Sequence, residues 1–128
     1  MFGIDMSVRD YELDMQGIVN NGVYFNYLEH ARHAFLLQSG IDFAALTNAG
    51  IHLVVIRSEL DYKASLKSGD AFRVEVELER ISKVKFGFRQ RVVRIEDEKV
   101  CLTGLVIGTA LNHRGRPHIL PEMTALLD

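Results

Sequence analysis

One stretch of helical periodicity, with strand-like alternation nearly everywhere after it, constrains this chain more than any other feature. From Val23 onward Tyr24, Tyr27, Leu28, Ala31 and Phe35 recur at intervals of three and four, while Asn26, Glu29, His30 and His33 fall mostly elsewhere. Phe25, Leu36 and Leu37 widen the apolar surface, so the helix is expected to be enclosed on much of its circumference, and Gly40 is placed to stop it. Before it, Phe2, Ile4, Met6 and Val8 alternate with polar residues or Gly, the period of a half-buried strand that runs on toward Asp14. After it, Asp42 to Thr47 has room for one more helical turn. Then Val54 to Ala64 and Phe72 to Glu79 alternate in the same way, Phe86, Phe88 and Val92 continue the pattern, and Val100 to Leu111 is apolar on both faces, as an interior strand is. Pro121 opens a short C-terminal helix.

Strands joined by tight connections cannot form a parallel sheet, because the crossover helices are missing. The expected fold is α+β: a curved antiparallel sheet of five strands wrapped around one central helix. A helix of roughly 17 residues spans about 26 Å, close to the length of strands of seven or eight residues, so a curved sheet can enclose it. If Ser82 to Val84 closes a hairpin, Leu78 pairs with Phe88 and Val74 with Val92 on one face. Glu77 then meets Arg89, and Glu75 meets Arg91, on the other. Ile81 breaks the alternation and is expected to mark a bulge.

Composition bounds the partners. The 128 residues fit one domain, expected to cover 1–128, and 48% of them are hydrophobic, enough for a substantial core. With 15 basic and 17 acidic residues there is no general attraction to nucleic acid or anionic membrane. The K-V-K-F-G-F-R-Q-R stretch mixes basic and aromatic residues, but glutamates opposite neutralise it. No segment approaches the roughly 18 apolar residues of a membrane span, and the N-terminus lacks a basic region followed by an apolar one; the chain reads as cytoplasmic. Cys101 is the only cysteine, in an apolar run, and reads as a buried inert thiol. His30 and His33 lack nearby carboxylate or Cys ligands at metal spacing, so no metal and no cofactor are expected. His113 and His118 flank the basic loop Arg114 to Pro117, read as a solvated turn. No Gly-x-Ser-x-Gly turn supports Ser-His-Asp chemistry.

The run Y-E-L-D-M-Q-G-I-V-N-N-G-V-Y-F-N-Y-L-E-H-A-R, Tyr11 to Arg32, places chemistry at the helix start. Asp14 ends an extended segment, Gly17 allows a turn that few residues tolerate, and Asn20, Asn21 and Gly22 precede a helix whose first N–H groups lack intrahelical partners. A carboxylate beside free N–H donors can attack a carbonyl and hold the resulting oxyanion. The same residues also fit a plain capped turn. Glu29 and Arg32, three apart, read as an ion pair. Glu12 reads as a solvated carboxylate, or as one sharing a strand face with Asp14 and raising its pKa.

Tyr11, Glu12, Asp14, Gly17, Ile18, Val19, Asn20, Asn21, Tyr24, Tyr27, Glu29 and Arg32, with L-K-S-G-D at Leu66 to Asp70, resemble the signature of the acyl-CoA thioesterases of the 4-hydroxybenzoyl-CoA thioesterase family, whose fold is called a hotdog. The resemblance implies a thioester hydrolase releasing a carboxylic acid and CoA, with Asp14 catalytic as base or nucleophile, Gly17 in its turn, and the backbone N–H near Asn21 polarising the carbonyl. Asn20, Tyr24 and Tyr27 would line the substrate, and Ser82, Lys83 and Lys85 would bind the CoA phosphates, with Lys63 and Lys67 as further candidates. Aromatic or His residues are common at positions 20 and 21 in aroyl- and short-acyl-CoA members, so Val-Asn-Asn points to fatty acyl thioesters. Acyl-CoA or acyl carrier protein could be the donor. A non-catalytic acyl-CoA binding module is the alternative, while a hydratase or dehydratase of this fold would need a His and acid pair that the Asp14 to Asn21 turn lacks. The resemblance also implies a site between two subunits, in a homodimer or a homotetramer of two dimers, and a curved sheet with free edges favours such pairing.

Overall fold

The computed structural model describes residues 1–127. In chain order it contains β1 (Phe2–Ser7), a 3-10 turn (Asp10–Glu12), α1 (Val23–Gln38), α2 (Phe43–Asn48), β2 (His52–Tyr62), β3 (Ala71–Arg80), β4 (Phe86–Arg94), β5 (Lys99–Leu111), β6 (Pro117–His118) and α3 (Pro121–Leu127). All strands join one antiparallel sheet ordered β1-β3-β4-β5-β2, with α1 lying across its inner face. This is the hotdog architecture. The count is six strands rather than five, because β6 pairs with the end of β5 at Ala110 and Leu111.

The core forms where α1 meets the inner face of the sheet. Tyr27, Leu28 and Ala31 are fully buried, Tyr27 packs on Phe72 with ring centroids 4.6 Å apart, and Phe35 meets Phe88 edge-on at 6.3 Å. Burying each such large apolar side chain contributes about 1.5–3 kcal/mol. The helix is less enclosed than its sequence suggests: Leu36 is buried, but Phe25 is 46% and Leu37 60% exposed, so one face is covered and the other is open. Its end follows a Schellman pattern. Gly40 adopts φ +88°, its N–H donates to the Leu37 carbonyl, and the Ile41 N–H reaches the Leu36 carbonyl at 2.8 Å.

The β3–β4 register pairs Val74 with Val92, Leu78 with Phe88, Glu75 with Arg91 and Glu77 with Arg89, as the charge pattern predicts. On the outer face Glu75 binds Arg91 at 2.6 Å and Arg73 at 3.1 Å, whereas Arg89 turns diagonally to Glu79 at 2.8 Å instead of Glu77. Ile81 is not a bulge. Its N–H closes the turn onto the Lys85 carbonyl, and the register shifts lie at Val55/Arg57 and Val92/Val93.

β5 is interior, between β4 and β2. β2 is an edge, eleven residues long, with exposed Val55 and Ile56 at its middle. Cys101 is fully buried, and burial pushes its thiol pKa up, consistent with an inert role. Among the described residues, no helix is long and apolar enough to cross a membrane.

Candidate functional site

The segment between β1 and α1 departs from the expected straight run into Asp14. Residues Asp10 to Glu12 turn as a 3-10 helix, so Glu12 and Asp14 do not share a strand face. Glu12 is not solvated either: its side chain is 10% exposed, and Oε1 accepts from the Tyr27 hydroxyl at 2.7 Å and the Arg9 N–H at 2.9 Å. Its carbonyl also accepts the Asn20 N–H at 3.0 Å. Glu12 thereby ties both ends of the Asp14 turn to the helix. Tyr27 pays its hydroxyl to this tie. Burial first, then the neighbouring Glu12, pushes its pKa well above the ordinary tyrosine range, so it stays a neutral donor.

Beyond Glu12 the chain makes a tight hairpin. Leu13 bridges Val19, the Asp14 N–H donates to the Ile18 carbonyl at 2.8 Å, and Gly17 turns the corner at φ +78°, a conformation that a side chain would strain. The Gln16 N–H donates to Asp14 Oδ1 at 2.9 Å. Among the described residues, Oδ2 has no hydrogen-bond partner, so one carboxylate oxygen is fixed and the other is free. Asn20 acts locally: its Oδ1 accepts the Gly22 N–H at 3.0 Å and its carbonyl accepts the Val23 N–H at 2.9 Å. Within the described residues the Asn21 N–H meets no acceptor.

Asp14 and Asn21 open onto one cleft of about 340 Å³, together with Tyr24, Tyr62, Lys63 and Ser65. The Tyr62 hydroxyl, at the end of β2, donates to the Asn21 carbonyl at 3.0 Å and pins the helix start to the sheet. Tyr24 meets the Tyr62 ring edge-on at 5.6 Å, and burial raises its pKa. The far wall is braced by Arg94, which donates to the Ser65 carbonyl at 2.8 Å and to Asp97 at 2.8 and 3.0 Å. Tyr62 escaped the sequence reading; an aromatic residue at the exposed end of a strand was its only signal.

A second cavity of about 350 Å³ lies at the other end of α1, walled by Leu36, Phe43, Val54, Phe86 and Val106, with Glu29, Arg32 and His33 at its side. Their linings come within five residues of each other on α1, at Tyr24 and Glu29, and the strand register fixes how far apart their outer ends are. Val55 and Phe86 both pair with Gly108 at the cavity end, while Tyr62 and Val92 both pair with Leu102 at the cleft end. Eight residues of β2 separate Val54 from Tyr62, or about 26 Å.

This geometry sorts the other candidates. Asp14, Asn21 and Tyr24 come together at the cleft with Lys63, and Gly17 shapes the Asp14 turn. Tyr27 is 1% exposed and points away, toward a small recess with Arg9, Glu12 and His30. Ser82, Lys83 and Lys85 sit in the β3–β4 turn at the cavity end, with Ser82 Oγ accepting from the Lys85 N–H at 3.1 Å; one chain does not bring them to Asp14. Lys67 lies in the turn before β3, its N–H on Asp70. The expected Glu29–Arg32 ion pair does not form among the described residues. Arg32 Nη1 donates instead to Gln90 Oε1 at 3.1 Å. His33 packs at a tilt against Phe43 with centroids 4.7 Å apart. In the 113–117 loop, the Arg114 and Arg116 N–H groups share Asn112 Oδ1 in a self-contained turn.

Comparison with known proteins agrees with this architecture. The family model described as the thioesterase-like superfamily matches residues 8–127. The acyl-acyl carrier protein thioesterase ATL2, chloroplastic, of Arabidopsis thaliana is 34% identical over 119 residues, 93% of this chain and 63% of that protein. The long-chain acyl-CoA thioesterase FadM of Escherichia coli is 30% identical over 106 residues, 83% of this chain and 75% of that protein. The crystal structure of a hypothetical protein from Aquifex aeolicus superposes with a TM-score of 0.89 at 28% identity over 100% of both chains. The chain therefore spans less than two thirds of the Arabidopsis relative's length. With nearly its whole length matched, its signature turn in place and its sheet wound around α1, the chain belongs to the thioesterase-like superfamily.

Proposed function

We propose that the protein hydrolyses fatty acyl thioesters of CoA or of acyl carrier protein, with Asp14 as the reactive carboxylate and the Asn21 N–H as oxyanion donor. The observation that carries this reading is the pairing, in one cleft, of a carboxylate with a free oxygen and a helix-start N–H without a partner. In the general-base route, Asp14 Oδ2 removes a proton from water as the water oxygen bonds to the thioester carbon. The carbonyl electrons move to the oxygen facing the Asn21 N–H, and collapse breaks the C–S bond and returns the proton to the thiolate. Direct attack by Oδ2 on the thioester carbon would break the C–S bond, expel the thiolate and leave a mixed anhydride, which water opens to the free acid and the Asp14 carboxylate, its proton passing to the thiolate. Similarity to a long-chain acyl-CoA thioesterase and an acyl carrier protein thioesterase supports the fatty acyl class.

The free edge of β2 supports a homodimer. Antiparallel pairing of two β2 strands around their midpoint sets the Tyr62 end of one copy against the Val54 end of the other, and brings the partner's phosphate-binding candidates in the β3–β4 turn toward Asp14.

Steady-state hydrolysis of an acyl-CoA panel tests the assignment. Asp14→Asn should lower kcat by about 10²–10⁴ with unchanged melting temperature; full activity in that variant refutes the role of Asp14. Tight CoA binding by the intact protein with no turnover at any chain length would mark a binding module instead.

A further inference from the structure

Hydrolysis at Asp14 gives the second cavity no cation to need, yet it has one. Arg32 is half-buried on its wall, fixed from below through Gln90, whose Nε2 donates to the Leu28 carbonyl at 3.0 Å and whose side chain is 2% exposed. Gln90 is neutral. Arg73, Arg91 and Arg94 each hold a carboxylate at 3.1 Å or closer, whereas Arg32 has none within ion-pair reach among the described residues. Glu29, one turn earlier on the same wall, is exposed and attracts the guanidinium only through space. Burial lowers the pKa of Arg32, but a guanidinium remains charged throughout the usable pH range.

A charge withdrawn from water without a counter-ion favours a ligand that brings one. Apart from Glu29 and His33 beside it the wall is apolar: Leu36, Phe43, Phe86 and Val106 enclose space for a hydrocarbon tail. We propose that this cavity binds an apolar-tailed monocarboxylate, with the carboxylate on Arg32 and the tail against Leu36, Phe43, Phe86 and Val106. A neutral thioester would satisfy the walls but not the cation. A fatty acid satisfies both, and it is the class of product that the proposed hydrolysis releases, so occupancy of this site is retention of product. The assignment rests on the cavity's own residues and does not depend on Asp14 being catalytic.

Dodecanoate below its micelle concentration is the probe. The chain has no Trp, so Phe43→Trp supplies a single indole at the cavity wall. Dodecanoate should change its emission saturably, and adding Arg32→Met should weaken binding by about tenfold or more, the usual worth of a hydrogen bond to a charged group. Arg32→Lys should recover part of the loss, dodecanol should bind both forms alike, and Asp14→Asn should leave dodecanoate affinity unchanged while lowering kcat. Equal affinity in the parent and Arg32→Met, or no emission change, overturns the proposal. Loss of binding in Asp14→Asn would move the ligand to the other cleft and overturn it too. If Arg32→Met does not fold, Glu29→Gln decides: removing an exposed like charge from the wall should tighten dodecanoate, and unchanged or weaker binding counts against the site.

Discussion

The two ends of α1 differ in the chemistry they present, and in the proposed hydrolase they act as complementary halves. At the Tyr62 end a carboxylate with a free oxygen faces an unpartnered N–H, and the arginine there is saturated by Asp97 and the Ser65 carbonyl. At the Val54 end the walls are mostly apolar, with Glu29 and His33 at the side, and the arginine is held by a neutral amide. In the proposed function one end carries the reaction and the other holds a chain; along β2 about 26 Å separates Val54 from Tyr62, while along α1 Tyr24 of the cleft and Glu29 of the cavity are about 7.5 Å apart. In the proposed dimer, pairing of the free β2 edge sets the cleft end of one copy against the cavity end of the other.

Breaking that edge should have the largest effect. Ile56→Lys puts a charge at the middle of the exposed β2 edge, where in the proposed dimer it meets its own copy; like-charge juxtaposition costs several kcal/mol. Sedimentation at micromolar concentration should shift from dimer to monomer, and turnover per chain should collapse while circular dichroism stays unchanged. A fully active monomer would show that each end works alone.

Tyr27→Phe tests the reactive end by itself. It removes a hydrogen bond to the Glu12 carboxylate, worth about 1.5–3 kcal/mol, and so lowers the melting temperature. Since Glu12 also holds the Asn20 N–H, kcat should fall more than KM rises; an unchanged kcat would free the Asp14 turn from this tie. A smaller effect is expected from replacing Lys83 and Lys85 with Ala. These exposed cations are worth about 0.2–1 kcal/mol each, so KM for acyl-CoA should rise a few-fold, more at low salt, with kcat unchanged. No change in KM would leave the phosphates to other residues.

What the sequence made legible follows the same division. The β3–β4 register was readable because Glu75 and Glu77 on one strand face Arg91 and Arg89 on the next, and the Asp14 turn because Gly17 and the Asn pair are demanding at those spacings. The open face of α1 was not, since Phe25 and Leu37 have the composition of core residues and only the sheet's curvature decides which side it covers. Glu12 was misread because a 3-10 turn leaves no periodic trace in three residues. The second cavity was invisible for a different reason: its wall gathers residues from α1, α2, β2, β4 and β5 that no local pattern connects.

The least disruptive test uses acid. Arg94 holds Asp97 well below its ordinary range, at about 2, chiefly through their hydrogen bond. A carboxylate depressed in the folded state stabilises it fully above the unfolded value near 4, and that contribution is lost as pH falls from about 4 toward 2. Because the pair is exposed, global unfolding should shift little. The effect should instead be local, since the same arginine braces the Ser65 carbonyl at the wall of the Asp14 cleft. At the opposite end Gln90 has no proton to gain, so the Arg32 anchor should not respond over the same range. Hydrogen exchange followed from pH 4 to pH 2 should therefore show faster opening at residues 65–67 and 94–99 than at 30–36. Equal acceleration at both ends would mean that acid loosens the whole sheet, and that the paired arginine does nothing particular for the reactive cleft.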